Sequence, residues 1–195
     1  MIQHRSDQEG LRQRKRRETL QRITESALRL FADRGYEATT LDAIADASGI
    51  SRRTFFYYFK SKEEILAAWQ KGLPEAFRAA IMRESPDQSP IDAVRNAHLG
   101  LLTHYDAARA LIIDRIIRSS DLLRASNQMK YLELERAAFE ALCERWPQKT
   151  REELRVTAMV SVGALRLAID AWAEEDGRRP LEDHLAEAFV HLKIK

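Results

Sequence analysis

One cysteine, Cys143, stands in 195 residues. A single thiol excludes an internal disulfide, suits a reducing cytosol, and reads as a small buried hydrophobe. Glycine and proline are also scarce, 7 and 5. With so few breakers and much Ala, Leu, Arg and Glu, the composition favours helices, and no strand pattern, repeat or low-complexity tract stands out. Long hydrophobic runs are missing too. The longest uncharged windows, such as "VTAMVSVGAL" at 156–165, reach about half a membrane span. The first residues, "MIQHRSDQEGLRQRKRR", are polar and basic with no apolar stretch behind them, so no signal peptide is expected and the chain reads as cytoplasmic. The five histidines, at 4, 98, 104, 184 and 191, form no ligand pair four apart. No zinc spacing, nucleophile elbow or glycine-rich phosphate loop occurs, so neither an enzyme nor a metal or cofactor is expected.

What is present is unevenly placed. Residues 1–60 hold 12 Lys and Arg against 8 Asp and Glu, and the remainder 20 against 22. The basic end contains Arg12, Arg14, Lys15, Arg16 and Arg17, a cluster suited to phosphates. Aromatics concentrate as well. Phe55, Phe56, Tyr57, Tyr58 and Phe59 are consecutive, with Arg52 and Arg53 before them and Lys60 and Lys62 close behind.

Residues 1–11 are expected to form a disordered basic arm. An amphipathic pattern from about Arg14 to Arg34 places Leu20, Ile23, Ala27, Leu30 and Phe31 on one face, and Gly35 ends it. Thr39 or Thr40 caps a short second helix, with Asp42 as the capping-box acid three residues after Thr39. Gly49 closes that helix, and Ser51 caps a third over 52–58. Two short helices joined by a tight glycine turn are the outline of a helix-turn-helix, whose second helix reads bases with its first residues, here Arg52, Arg53 and Thr54. Successive residues turn by about 100°, so Phe55 and Phe59 share a side that plugs the core, while Phe56 beside Arg52, Tyr57 beside Arg53 and Tyr58 beside Thr54 fall on other sides as exposed aromatics. A membrane-surface anchor would need a longer apolar face.

Further on, Ser61 to Glu64 forms a capping box for a fourth helix, which bends or breaks at Gly72 and Pro74 and can continue over 75–83. "SPDQSP", 85–90, is a loop, and Pro90 opens a helix to about 104. Helices follow over about 106–118, 122–145, 151–174 and 181–193, with Thr150 and Glu153 as a capping box. The expected fold is all-α with about nine helices: a DNA-binding domain over 1–60 and a helical domain over 61–195.

Residues 14–64 resemble the DNA-binding domain of the TetR family of bacterial one-component regulators, through "ALRLFADRGYEATT", "LDAIADASGIS" and "RRTFFYYFKSKEEIL". The resemblance implies that Thr40 contacts phosphate, that Ser51, Arg52, Arg53 and Thr54 contact bases and backbone, that Tyr57 lies on the exposed part of the recognition helix, and that Tyr58 and Lys62 contact the backbone. Two positions depart from the family pattern. Phe56 stands where many members have a phosphate-binding tyrosine, and Arg53 stands where many have glycine, which makes the groove face more cationic.

The resemblance further implies a C-terminal domain that dimerises and binds a small effector. Small residues Ala158, Ser161, Gly163, Ala164 and Ala168 permit close helix approach, and Leu181, Leu185, Ala188, Phe189 and Leu192 add an apolar face, which together suggest a four-helix interface in a homodimer. Pocket candidates are Trp69, Phe77, His98, Leu102, Tyr105, Ile113, Ile117, Tyr131, Met159 and Trp172. Apolar and aromatic with a few polar points, they suit a largely hydrophobic ligand. The expected function is a repressor that binds a palindromic duplex operator as a dimer and leaves it on effector binding. A transcriptional activator, or an architectural DNA-binding protein without effector, are the alternatives.

Overall fold

Short polar side chains set where the helices begin. In the computed structural model, Thr40, Ser51, Ser89, Asp106 and Thr150 each accept a hydrogen bond from the backbone N–H three residues ahead, which satisfies an N–H that has no partner within the helix. The structure describes residues 3–70, 72–103 and 106–192, without the side chains of 3–9, 69 and 70. Among these it contains ten helices and no strand: α1 (Gln3–Arg34), α2 (Leu41–Ala47), α3 (Arg52–Tyr58), α4 (Lys62–Gln70), α5 (Leu73–Arg83), α6 (Pro90–Leu102), α7 (Ala107–Arg118), α8 (Asp121–Arg145), α9 (Arg151–Glu174) and α10 (Leu181–His191). The continuation expected after the fourth helix is thus a helix of its own. Gly72, at φ +87°, precedes it in a backbone conformation that favours glycine.

The all-α architecture agrees with the sequence, but three local expectations are corrected. Residues 3–11 are the first turns of α1, not a disordered arm; Met1 and Ile2 lie outside the described residues. Residues 10–18 are all exposed, so this stretch is helical on the propensity of Gln, Arg, Lys, Glu and Leu, with Gly10 tolerated. Of the two candidate caps, Thr40 is the one that caps α2. The Thr39 hydroxyl instead donates to the carbonyls of Gly35 (2.8 Å) and Leu30 (3.2 Å), and Asp42 is left out of a capping box. Glu153 turns away from its box to meet Lys149 Nζ at 2.5 Å.

The chain divides into two compact units between Gln70 and Lys71, which places α4 with the first. In that unit Ile23, Ala27, Phe31, Ile44, Ala45, Phe55, Phe59 and Ile65 are all buried. The small residues let α2 lie close to α1, where the Ser26 hydroxyl donates to the Ala47 carbonyl. Gly49, at φ +65°, makes the turn between α2 and α3.

The second unit is built on α5, α6, α8, α9 and α10 around Phe77, Ile81, Val94, Leu134, Leu142, Trp146, Leu154, Val162, Trp172 and Leu185. Trp146 Nε1 donates to the carbonyls of Pro86 (3.0 Å) and Gln88 (3.2 Å), tying the 85–90 loop to the end of α8. Helix α9 has the length and apolarity to cross a membrane. However, its Leu154, Ala158, Ser161, Val162, Leu165, Ala168 and Trp172 are buried inside this unit.

Candidate nucleic-acid interface

The recognition helix stands on two rings. Phe55 and Phe59 are buried, with centroids 6.2 Å apart, and they fix which side of α3 faces the core. Phe56 is half-buried and meets Phe55 edge-on at 5.7 Å. Tyr57 is 74% exposed, and Tyr58, half-buried, packs edge-on against it at 5.3 Å. Phe55, Phe59 and Tyr57 fall where the helical turn predicts, whereas Phe56 and Tyr58 are half-buried rather than exposed, because each packs against a neighbouring ring.

The polar candidates fall beside one another at the start of α3. Ser51 Oγ and Thr54 Oγ1 are 2.8 Å apart. They share one proton, and the other hydroxyl proton stays available to DNA. Arg52 reaches back to α2, where its Nε lies 3.1 Å from Asp42 Oδ1; its guanidinium carbon sits 5.5 Å from the Phe56 ring centroid. Arg53 is exposed and forms no ion pair among the described residues. Thr40 Oγ1 accepts from Ala43 N, which leaves its hydroxyl proton to donate.

Lys62 is committed in part. Its Nζ donates to the Tyr36 carbonyl at 2.7 Å and lies 4.2 Å from the Tyr36 ring. The Tyr36 hydroxyl donates to Glu63 Oε1 at 2.5 Å. That bond holds the Glu63 carboxyl below its usual range; burial first, and then Glu63, push the Tyr36 phenol far up. The start of α4 is thereby pinned to the α1–α2 turn.

The basic cluster behaves differently from an arm. Arg14, Lys15, Arg16 and Arg17 are exposed on α1, and Arg14 pairs with Glu18 at 3.5 Å. Consecutive helical residues turn by about 100°, so these four charges wrap the helix rather than sharing a face.

Of the pocket candidates, Phe77, His98, Leu102, Ile113, Ile117, Tyr131 and Trp172 are buried in the second unit. Met159 is 51% exposed and lines no interior. Tyr105 and the Trp69 side chain lie outside the described residues. A groove of about 310 Å³ opens between α5 and α8, but Glu75, Arg78, Glu133, Arg136 and Glu140 make its lining charged rather than apolar.

His98 stacks on Phe77 at 4.2 Å, and its buried Nε2 has no hydrogen-bond partner among the described residues. Burial pushes this imidazole down to about 3. The folded value lies below the ordinary 6.5, so the stability supplied by the neutral ring is complete above that pH and is lost as pH falls toward 3. We expect His98→Phe to flatten the acid side of the second unit's stability curve between those limits. Urea melts followed by tryptophan fluorescence would check it.

One cluster had no signal in the sequence. Arg118 bridges Asp114 (2.6 Å) and Asp170 (2.8 Å). Beside them the Lys130 ammonium, 4.3 Å from the Tyr131 ring, is pushed down to about 8 by burial. Burial likewise raises Tyr131 to about 12. Its members come from α7, α8 and α9, and no short spacing unites them.

The expected dimer residues are mostly spent inside the chain. Ala158, Ser161, Ala164, Ala168, Leu181, Leu185 and Phe189 are buried within the second unit, while Gly163, Ala188 and Leu192 are half-buried. The small residues do permit close helix approach, but that of the chain's own helices. The apolar side chains left outside on α9 and α10 are Val156, Met159, Leu167 and Val190.

A short helix-turn-helix that presents arginines and hydroxyls ahead of a buried aromatic pair defines a DNA-binding transcription regulator. Comparison with known proteins agrees. Residues 23–69 match the model of bacterial regulatory proteins of the tetR family, and residues 88–194 match the MftR C-terminal domain. The chain belongs to the tetR family. It is 41% identical over 93 residues to the HTH-type transcriptional regulator TcmR of Streptomyces glaucescens, covering 48% of this chain and 41% of that protein, so less than half of that relative's length is spanned. It is 26% identical over 175 residues to the transcriptional activator FasR of Mycolicibacterium smegmatis, covering 86% of this chain and 77% of that protein. Among solved structures, the tetR-family repressor FadR of Thermus thermophilus, in complex with lauroyl-CoA, shares the fold at a TM-score of 0.60 and 24% identity, covering 89% of this chain and 92% of that one.

Proposed function

We propose that this protein is a cytoplasmic, ligand-responsive repressor that binds a palindromic operator as a two-fold dimer. The observation that carries the DNA half of this is the start of α3. Arg52, Arg53 and Thr54 are exposed there, on a helix anchored by buried Phe55 and Phe59. Such residues reach base edges in the major groove. Thr40, Ser51, Tyr58 and the free donors of Lys62 serve the phosphates, together with whichever of Arg14, Lys15, Arg16 and Arg17 face the duplex. The test is fluorescence anisotropy on duplex DNA from the protein's own upstream region, against a scrambled duplex, at two salt concentrations. Preference for the native duplex supports the proposal. Equal, steeply salt-dependent binding to both would instead support an architectural binder.

The dimer face we assign is Val156, Met159, Gly163, Leu167 and Val190. These residues remain at the surface of α9 and α10, and the first four recur every three or four residues along one side of α9. In a two-fold interface each residue recurs on both subunits, so one added charge becomes two. Leu167, 68% exposed, adds little to the fold of the monomer. Leu167→Glu is therefore expected to yield a folded monomer by sedimentation, with operator binding weakened because one head then reads one half-site. A dimer of unchanged strength would sink this assignment.

A small, largely hydrophobic effector completes the proposal. Phe77, Leu102, Ile113, Ile117 and Tyr131 would give way to it, and His98 offers an unpartnered polar atom. A coupling of ~1–3 kcal/mol between effector and operator changes affinity roughly 5- to 150-fold. Gly72, ahead of α5, is the natural flexing point. Activation is the second reading, because the relative named as an activator aligns over 86% of this chain.

A further inference from the structure

We infer that Arg52 reads a guanine in each half-site and that Asp42, on the preceding helix, is its positioning residue. This rests on the DNA-binding function proposed above. The geometry of one guanidinium carries it. The guanidinium nitrogen nearest Asp42 is Nε, 3.1 Å from Oδ1. The Phe56 ring lies 5.5 Å from the guanidinium carbon. That ring is in turn braced edge-on by Phe55, which has no exposed surface. A long, flexible side chain is thus held at one edge by a carboxylate and on one face by an aromatic. Its Nη1 and Nη2 fork makes no hydrogen bond among the described residues, and that fork matches the O6 and N7 acceptors of guanine.

The ion pair makes little sense as a stabilising device. The two side chains are 71% and 54% exposed, and exposed pairs contribute little to folding. Nor does it suit a phosphate contact, since a carboxylate against the guanidinium repels the phosphate the arginine would seek. A neutral pair of acceptors on a base edge has no such conflict. Holding the fork in place also lowers the ordering cost of binding, and that gain is realised only at the base whose acceptors match it. Phe56 has the same logic. It has no hydroxyl to offer a phosphate, and it provides a face for Arg52. Arg53, with no ion pair among the described residues, has no comparable restraint.

The experiment is selection from a randomised duplex library by the full-length protein, comparing the native chain with Asp42→Asn, Arg52→Lys and Phe56→Leu. Thermal melts confirm that each variant is folded. We expect the native protein to enrich a two-fold motif with guanine at one position per half-site. Arg52→Lys and Asp42→Asn should each lower that preference roughly 5-fold or more at that position alone. Phe56→Leu should lower it less. Non-cognate binding by Asp42→Asn should be unchanged or tighter, because an anionic group has left the interface. A purely structural role for Asp42 would instead weaken all sequences together. The inference falls if Asp42→Asn leaves the Arg52-dependent position unchanged or weakens every sequence equally while the native protein still enriches a motif. If the native protein enriches no motif, the DNA-binding proposal falls and takes this one with it. Should Asp42→Asn not fold, Arg52→Lys and Phe56→Leu decide, and unchanged guanine preference in both overturns the inference.

Discussion

The double variant Arg52→Ala/Arg53→Ala is expected to lose the operator while keeping the fold. A good bidentate contact to a base is worth about 1–3 kcal/mol. A two-fold dimer repeats it at two half-sites, so loss of Arg52 alone costs about 2–6 kcal/mol, roughly 30- to 25,000-fold in affinity. Arg53 adds to this, and its removal should also make binding less sensitive to salt if it serves a phosphate. Stability should hardly move. Both side chains are exposed, and the one ion pair lost, with Asp42, lies at the surface, where such pairs are worth about 0–1 kcal/mol. Anisotropy titrations at two salt concentrations and a thermal melt check both halves. Unchanged operator affinity would remove α3 from the interface.

Phe55→Ala should do the reverse. Phe55 is fully buried between the helices of the first unit, and truncating a buried phenylalanine costs about 3–5 kcal/mol. Whole domains are stable by only about 5–15 kcal/mol, and a small unit has few other contacts to absorb the loss. We expect the first unit to melt early, or to be unfolded at ambient temperature, with DNA binding lost as a consequence. Tyr57→Ala is the control on the same helix. Tyr57 is 74% exposed, so its loss should leave the melt unchanged while weakening binding. Equal melts for Phe55→Ala and the native chain would mean that the aromatic run does not hold the recognition helix.

These contrasts show why the head was largely legible in the sequence. Its helices are short and their signals local: Thr40 and Ser51 as caps, Gly35 and Gly49 at positive φ, and aromatics spaced four apart on the core side of α3. The second unit was legible as helices but not as a surface. Ala158, Ser161, Ala164 and Ala168 mark where α9 packs closely, but their spacing does not say against what, and they pack inside their own unit. Met159, an interior candidate by sequence, is exposed, because apolar residues that face a core and those that face a partner follow the same periodicity on an amphipathic helix. The helical state of residues 3–11 was missed because charge density was read as disorder, whereas Arg, Lys, Gln and Glu are themselves good helix formers.

By itself the sequence determined the all-helical class, the position of the helix-turn-helix and the identity of the residues that head its second helix. Each of these depends on neighbours within a few positions, where backbone propensity, capping and helical period act. Tertiary structure alone decided that Asp42 meets Arg52, that Lys62 is shared with Tyr36, that Asp114, Arg118, Lys130 and Asp170 gather in one place, and which apolar side chains remain outside. Those outcomes depend on how separate helices cross and rotate. That geometry is settled by packing across the whole unit, and no local stretch of sequence records it.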